Sequence, residues 1–315
     1  MAAALLREPP AYAQRLAAAE DWLSGGDDRH ALVPGDEGYP PLLLQTADPP
    51  LLLYLQGRAE LLSTRGVAIV GSRQPSPQGL DNARAFAREL AGHGLTVVSG
   101  LALGIDAAAH EGALDADAPT VAVMGTGPDR IYPARHRDLA RRIAASGLLL
   151  SEYAPGTPAL PDHFPQRNRL IAGLTLGTLV VEAALRSGSL ITARLASEAG
   201  REVFAVPGSI RSPQAQGCHA LIKQGAKLVE SVDDILEELQ GGTPRQAALP
   251  LEDGASDSAA DPLLAALGHD PVTLDALLAR TGSPVSELTA RLLELELEGK
   301  VARLPGGLYQ RRHTS

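Results

Sequence analysis

The chain has 315 residues, 44% of them hydrophobic, enough to bury an α/β core and to build two or three domains. A single cysteine, Cys218, excludes an internal disulfide and a cysteine-cluster metal site, and no apolar run is long enough to cross a membrane, so a soluble cytoplasmic protein is expected. The net charge of -9 is concentrated rather than spread: residues 230 to 261 hold nine acidic side chains against Arg245 alone.

Residues 1 to 65 are rich in Ala and Leu, with proline pairs at Pro9-Pro10, Pro40-Pro41 and Pro49-Pro50. They read as a small helical unit followed by an irregular lead-in. From residue 66 to 240 short β-branched runs alternate with helical patterns, which predicts a doubly wound, mostly parallel sheet covered on both faces. Strands are predicted at Val67 to Val70, Thr96 to Ser99, Thr120 to Met124, Leu148 to Glu152, Thr178 to Glu182, Val203 to Val206 and Lys227 to Val229. Helices are expected between them, among them Pro77 to Ala91, where Ser76 can cap and Pro77 suits a first turn that needs no amide hydrogen. The others fall at Ile105 to Asp115, His136 to Ala145, Asn168 to Leu174, Leu190 to Ala199, His219 to Gln224 and Val232 to Leu239. Residues 241 to 260, made largely of Gly, Pro, Ser, Ala and Asp, read as a flexible linker. After it, three short helices and a two-stranded wing between Lys300 and Gln310 give residues 261 to 315 a winged-helix pattern.

In a doubly wound sheet, ligands bind where loops leave the carboxyl ends of the strands. The glycine-bearing turns there are Gly71-Ser72-Arg73, Ser99-Gly100-Leu101-Ala102-Leu103-Gly104, Gly125-Thr126-Gly127 and Ser187-Gly188-Ser189. Such turns let backbone amides approach a phosphate, although many sheets need them for steric reasons alone. The absence of Gly-x-Gly-x-x-Gly after the first strand and of a P-loop argues against a dinucleotide or ATP cofactor. Arg73 offers a planar fork for phosphate; the alternative is a solvated arginine. The segment Phe164-Pro165-Gln166-Arg167-Asn168-Arg169 sets an aromatic ring beside two guanidinium groups at the entry to a helix. Single-stranded nucleic acid asks for that combination of stacking and phosphate contact. Two readings stay open there, because Phe164 can equally plug the core while Arg167 and Arg169 pair with Asp162 or Glu182. A second bunching of cations, Arg130, Arg135, Arg137, Arg141 and Arg142, allows a local basic surface on an acidic chain. Eight histidines without ligand spacing predict no metal site, and His110, on an Ala-rich helix, reads as a satisfied packing residue.

Taken in order, Val70 to Arg73, Ser99 to Asp106 with Ala109-His110, Tyr132-Pro133, Ser151-Glu152, Phe164 to Leu174, Val181 to Ala183, Ser187 to Ala193, Val203 to Gly208 and Leu221 to Ala226 resemble the DprA (Smf) family of DNA-processing proteins. The resemblance covers residues 66 to 230. It implies an extended Rossmann-like fold, binding of single-stranded DNA without catalysis, a homodimer formed through that domain, and loading of RecA during natural transformation. Carried onto matching positions, it implies a DNA pocket of Arg73, Phe164, Arg167, Asn168 and Arg169, with phosphate contacts from Ser72, Gly100, Gly125, Ser189 and Thr192. Residues 1 to 40 would correspond to the family's SAM-like segment, and the acidic helix of the winged unit, with Glu287, Glu294, Glu296 and Glu298 against Arg291, is expected to contact protein rather than duplex DNA.

Two rival readings share the sheet. A nucleotide phosphoribohydrolase-like enzyme is echoed faintly by Gly173 to Thr178 leading to Glu182 as a general acid or base, with Glu152 a further candidate; the other rival is a nucleotide-sensing domain.

Overall fold

The computed structural model describes residues 11–240, 261–268 and 271–312. The predicted linker at 241 to 260 and the first ten residues lie outside them. The chain divides into two compact units, the first taking in residues up to 75 and 82 to 241 and the second residues 76 to 81 and those after 241.

The first unit is built on a nine-stranded sheet. Helix α1 (Tyr12–Ser24) precedes β1 (Arg29–Leu32), and the short α2 (Pro41–Leu44) precedes β2 (Leu53–Gly57). Then strands and helices alternate: β3 (Gly66–Val70), α3 (Pro77–Gly92), β4 (Thr96–Ser99), α4 (Ile105–Leu114), β5 (Thr120–Met124), α5 (Arg137–Ser146) and β6 (Leu148–Ser151). The second half runs α6 (His163–Gly173), β7 (Gly177–Val180), α7 (Ser189–Glu198), β8 (Glu202–Ala205), α8 (Gln216–Lys223), β9 (Lys227–Leu228) and α9 (Val232–Leu239). The strand order is β1-β2-β6-β5-β4-β3-β7-β8-β9, parallel throughout except for the antiparallel pairs β1 with β2 and β2 with β6.

Every residue of β3 to β7 is buried, as expected of parallel strands covered on both faces. Alternation along each strand divides the core in two. Val121, Val123, Leu148 and Leu150 pack with Leu170 and Ile171 of α6 on one face, while Ala122, Met124 and Leu149 pack with Leu139 and Ile143 of α5 on the other. The start of α3 is fixed as its sequence indicates, with Ser76 Oγ accepting from the Gly79 amide at 3.0 Å.

Two boundaries differ most from expectation. The sheet starts before residue 66, because Arg29–Leu32 and Leu53–Gly57 from the lead-in join it, with Tyr54 paired to Ser151 and Gly57 to Leu148. Helix α6 starts at His163 rather than Asn168. Pro165 misleads here, since proline reads as a breaker but is tolerated in a first turn, whose amides have no intrahelical partner.

The second unit holds α10 (Pro262–Leu267), β10 (Val272–Thr273), α11 (Leu274–Thr281), α12 (Val285–Leu297), β11 (Val301–Leu304) and β12 (Leu308–Arg311). Its sheet has the order β10-β12-β11, one short strand more than the predicted wing. Asp261 caps α10 through the Leu263 amide at 2.9 Å, and Thr273 caps α11 through that of Ala276 at 3.2 Å. Leu263, Leu267, Leu277, Leu288, Leu292, Leu295, Val301 and Tyr309 form its own core.

Candidate nucleic-acid interface

Strand β3 has β4 on one side and β7 on the other, so chain leaving its carboxyl end winds one way and chain leaving β7 winds the other. The loops diverge there and open a crevice. A cavity of about 530 Å³ occupies it, and Ser72, Arg73, Phe164, Arg167, Asn168, Ser189 and Thr192 are all in its wall. Of the predicted site residues, Gly100, Gly125 and Arg169 are not.

Helical phase explains the outcome within α6. Phe164, Arg167, Asn168 and Ile171 recur at spacings of three and four and so share the face that meets the cavity. Arg169 lies off that face and is held by carboxylates outside the cavity, bonding to Glu152 and reaching Asp48 at 3.3 Å. It pairs with neither Asp162 nor Glu182, and the same pairing engages Glu152, one of the two candidate general acids.

Arg167, only 3% exposed, is a brace beneath the cavity rather than an outstretched fork. Its guanidinium donates to the Gly100 carbonyl at 2.6 Å and to the Val123 carbonyl. A Cβ at position 100 would stand 2.3 Å from Arg167 Nη1, so the glycine there makes room for the arginine and not for a ligand. Asp106, also buried, accepts from the amides of Gly100 at 3.1 Å and Ala102 at 3.4 Å. Burial lowers the Arg167 guanidinium to about 10, with Asp106 opposing the shift and Arg73 adding to it, so it remains charged at neutral pH. Burial likewise raises the Asp106 carboxyl, and Arg167 is the chief group holding it down.

Arg73 stands above this buried pair, its guanidinium carbon 5.7 Å from the centre of the Phe164 ring. Among the described residues no carboxylate forms an ion pair with it. Phe164 is seated against Gly125, where a Cβ would meet the ring at 2.9 Å. Gly100 and Gly125 therefore support the site from below instead of lining it.

The opposite wall is the first turn of α7. Ser187 Oγ and Ser189 Oγ lie 2.7 Å apart, Ser187 Oγ accepts from the Ser189 amide at 3.3 Å, and Asn168 Nδ2 reaches the Gly188 carbonyl at 3.4 Å. A helix beginning at the rim adds positive potential to small hydroxyls, a combination that suits phosphate oxygens. Arg186, Ile191 and Gln214 also line the cavity without having been predicted. Among the described residues the only carboxylate in the wall is Asp106, against three guanidinium groups, so the rim is cationic although the molecule is acidic.

Features of the rival readings fall elsewhere. Glu182 is not in the cavity wall, and its backbone carbonyl accepts from the Ser72 amide at 2.7 Å. The Gly173 to Thr178 text sits at the start of β7, the end of the strand opposite the rim. Cys218 is fully buried, and burial pushes its thiol up to about 12, which makes it a poor nucleophile. His110 is fully buried and half satisfied. Thr120 Oγ1 donates to the Val97 carbonyl at 2.7 Å, so it must accept from His110 Nδ1 at 2.8 Å, which leaves Nε2 without a partner among the described residues.

Residues 30–240 match the family described as DNA recombination-mediator protein A, and residues 243–307 match the DprA winged helix domain. The chain belongs to the DprA (Smf) family. Over 299 residues it is 45% identical to Protein Smf of Escherichia coli (strain K12), spanning 92% of this chain and 79% of that protein. It is 49% identical over 205 residues to the DNA processing protein DprA of Streptococcus pneumoniae, spanning 65% of this chain and 72% of the relative. The X-ray structure of DprA from Streptococcus pneumoniae matches with a TM-score of 0.66 and 45% identity over 74% of this chain and 82% of that one. A DprA structure from Helicobacter pylori, a protein with a single-stranded DNA binding mode, matches with a TM-score of 0.61 and 33% identity over 68% of this chain and 96% of that one. The α/β sheet and the carboxyl-terminal winged helix of this DprA family member are thus those of its relatives. Among the described residues no helix is long and apolar enough to cross a membrane.

Proposed function

We propose that this chain is a cytoplasmic single-stranded DNA-binding protein, without catalysis of its own, that protects incoming DNA and loads RecA onto it during natural transformation and recombination. It acts as a homodimer formed through the sheet domain. Family membership supports the RecA, dimer and transformation parts of this reading, and the cavity supports the DNA part. The observation that carries it is the Arg73 guanidinium, in no ion pair among the described residues and standing over the Phe164 ring at the rim. A phosphate paired with Arg73 leaves its base beside Phe164, which gives grip and stacking at one point without reading sequence. Ser72, Asn168, Arg186, Ser189 and Thr192 supply further polar contacts around it, while Arg167, Gly100 and Gly125 hold the wall in shape and Arg169 stays outside.

The test is a salt titration of binding to a labelled oligonucleotide, single against double stranded. A logarithmic slope of about -0.7 per phosphate contacted, hence about -2 for three phosphates, is expected, together with single-strand preference. Equal affinity for duplex, or a flat salt response, would overturn the DNA reading. Faster onset of RecA ATP hydrolysis on strands precoated with a single-strand-binding protein would test the loading step, and failure there would leave the binding step standing.

A further inference from the structure

The arginines bunched between residues 130 and 142 take no part in the first cavity. A second cleft of about 690 Å³ lies within the same unit, walled by α1, β1, the loop after β5 and α5. Arg29, Arg130, Arg137 and Arg141 line it, against one carboxylate, Asp129. That carboxylate is already engaged, since its Oδ1 accepts from the Gly156 amide at 2.7 Å. Arg29 is held in place: its guanidinium carbon lies 5.2 Å from the centre of the Trp22 ring, Nη1 donates to the Trp22 carbonyl at 2.8 Å, and its buried Nε has no partner among the described residues. Arg130 Nε is 3.8 Å from Asp129, and Arg141 bonds to the exposed Asp138 at 2.6 Å. Arg137 has no ion pair among the described residues.

A pair of rings joins the two clefts. Phe164 belongs to the wall of the first and Tyr132 to the wall of the second, with ring centres 5.4 Å apart. Tyr132 is 52% exposed, a large ring open to solvent between two sets of cations. The loop that carries it is tied down at several points. Thr126 Oγ1 and the Gly127 amide donate to the Arg130 and Thr157 carbonyls, and the Arg130 amide donates back to the Gly127 carbonyl at 3.0 Å.

Resting on the single-strand reading above, we propose that a strand gripped at Arg73 continues across the Phe164–Tyr132 edge and lays its next phosphates in this second cleft. Stacking on an exposed ring flanked by guanidinium groups binds single strands whatever their sequence, because every base has a face to stack and every nucleotide a phosphate. A duplex keeps its bases stacked on one another and cannot offer one to Tyr132. The second cleft therefore lengthens the footprint and sharpens the preference for single strands.

The experiment compares a six-nucleotide and a twenty-nucleotide oligo(dT) by fluorescence anisotropy, using the full chain, the double variant Arg130→Gln and Arg137→Gln, and Tyr132→Ala. Both arginines are exposed, and circular dichroism verifies folding. The expected result is a loss of about tenfold or more on the long strand, with less than threefold change on the short one, and a salt slope on the long strand shallower by about 1.4. Tyr132→Ala should lose affinity on the long strand while keeping the slope of the parent. Unchanged long-strand affinity, or equal losses at both lengths, would overturn the second cleft. An unchanged short-strand affinity in Arg73→Glu would instead overturn the first cavity, so the two failures are distinguishable.

Discussion

Helices α6 and α12 both carry arginines, and their surroundings give those arginines opposite meanings. On α6, Phe164, Arg167 and Asn168 turn toward one cavity whose only carboxylate, Asp106, is buried beneath it. On α12, Arg291 is engaged by Asp261 at 2.7 Å and Glu294 at 2.6 Å, and Glu287, Glu296 and Glu298 lie along the same helix or at its end. An arginine held between carboxylates offers less to phosphate than one in a wall where cations outnumber them. Leu293 and Leu297, the latter 82% accessible, are exposed on α12 beside these carboxylates.

The most damaging break of this comparison should come from Arg167. Replacing it by methionine leaves Asp106 buried beside two carbonyls that have lost their donor. Each buried carbonyl left without its donor costs about 1–3 kcal/mol, hence roughly 2–6 kcal/mol for the two. Chemical denaturation of Arg167→Met should show that loss in the sheet unit. A loss below about 1 kcal/mol would mean that Arg167 is not the brace described above.

Arg73→Glu comes next and tests affinity instead of stability. Its guanidinium makes no ion pair among the described residues, so the fold should tolerate the change. One charge-assisted phosphate contact is worth about 1.5–3 kcal/mol, hence roughly tenfold to a hundredfold in single-strand affinity, read by anisotropy with the melting temperature as control. An unchanged dissociation constant would place the strand elsewhere.

The sheet was legible in the sequence because its central strands are buried on both faces and so appear as short, nearly continuous apolar runs. Strand β1 was not, because it sits at an antiparallel edge and Arg-His-Ala-Leu shows no apolar period, and β2 was hidden behind the proline-rich lead-in that precedes it. The pocket was legible as text but not as geometry. Arg167 and Arg169 look equivalent two residues apart, and only a helix that begins at His163 sends one beneath the cavity and the other toward Glu152. Arg186 gave no local signal beyond its position between the end of β7 and the start of α7.

Acid sharpens the contrast from the side of the sheet unit. Burial lowers the His110 imidazole to about 3, so it stays neutral in the folded state well below the pH at which the unfolded chain binds a proton. Because the unfolded state then holds more protons, stability falls as pH drops below about 6.5, and the loss continues until the folded value is reached. At pH 5 this one group should remove about 2 kcal/mol relative to neutral pH. His110→Gln should therefore show a smaller decrease in unfolding free energy between pH 7 and pH 5 than the parent, by about that amount. Equal decreases in both proteins would mean that His110 is protonated in the fold.

The smallest effect belongs to α12. If partners rather than presence decide what an arginine does, Arg291→Gln should change neither single-strand nor duplex affinity by more than about twofold, even though Arg291 is the only cation on that helix. The charge removed already faces two carboxylates, so phosphates lose nothing they had use of. Converting Glu294, Glu296 and Glu298 to lysine in the full chain should do the opposite and raise duplex affinity above that of the parent in a salt-sensitive way, because the helix would then present cations with few carboxylates left to satisfy them. Tenfold weaker duplex binding in Arg291→Gln would show that α12 meets DNA in spite of its acidity, and the contrast with α6 would then rest on the cavity alone.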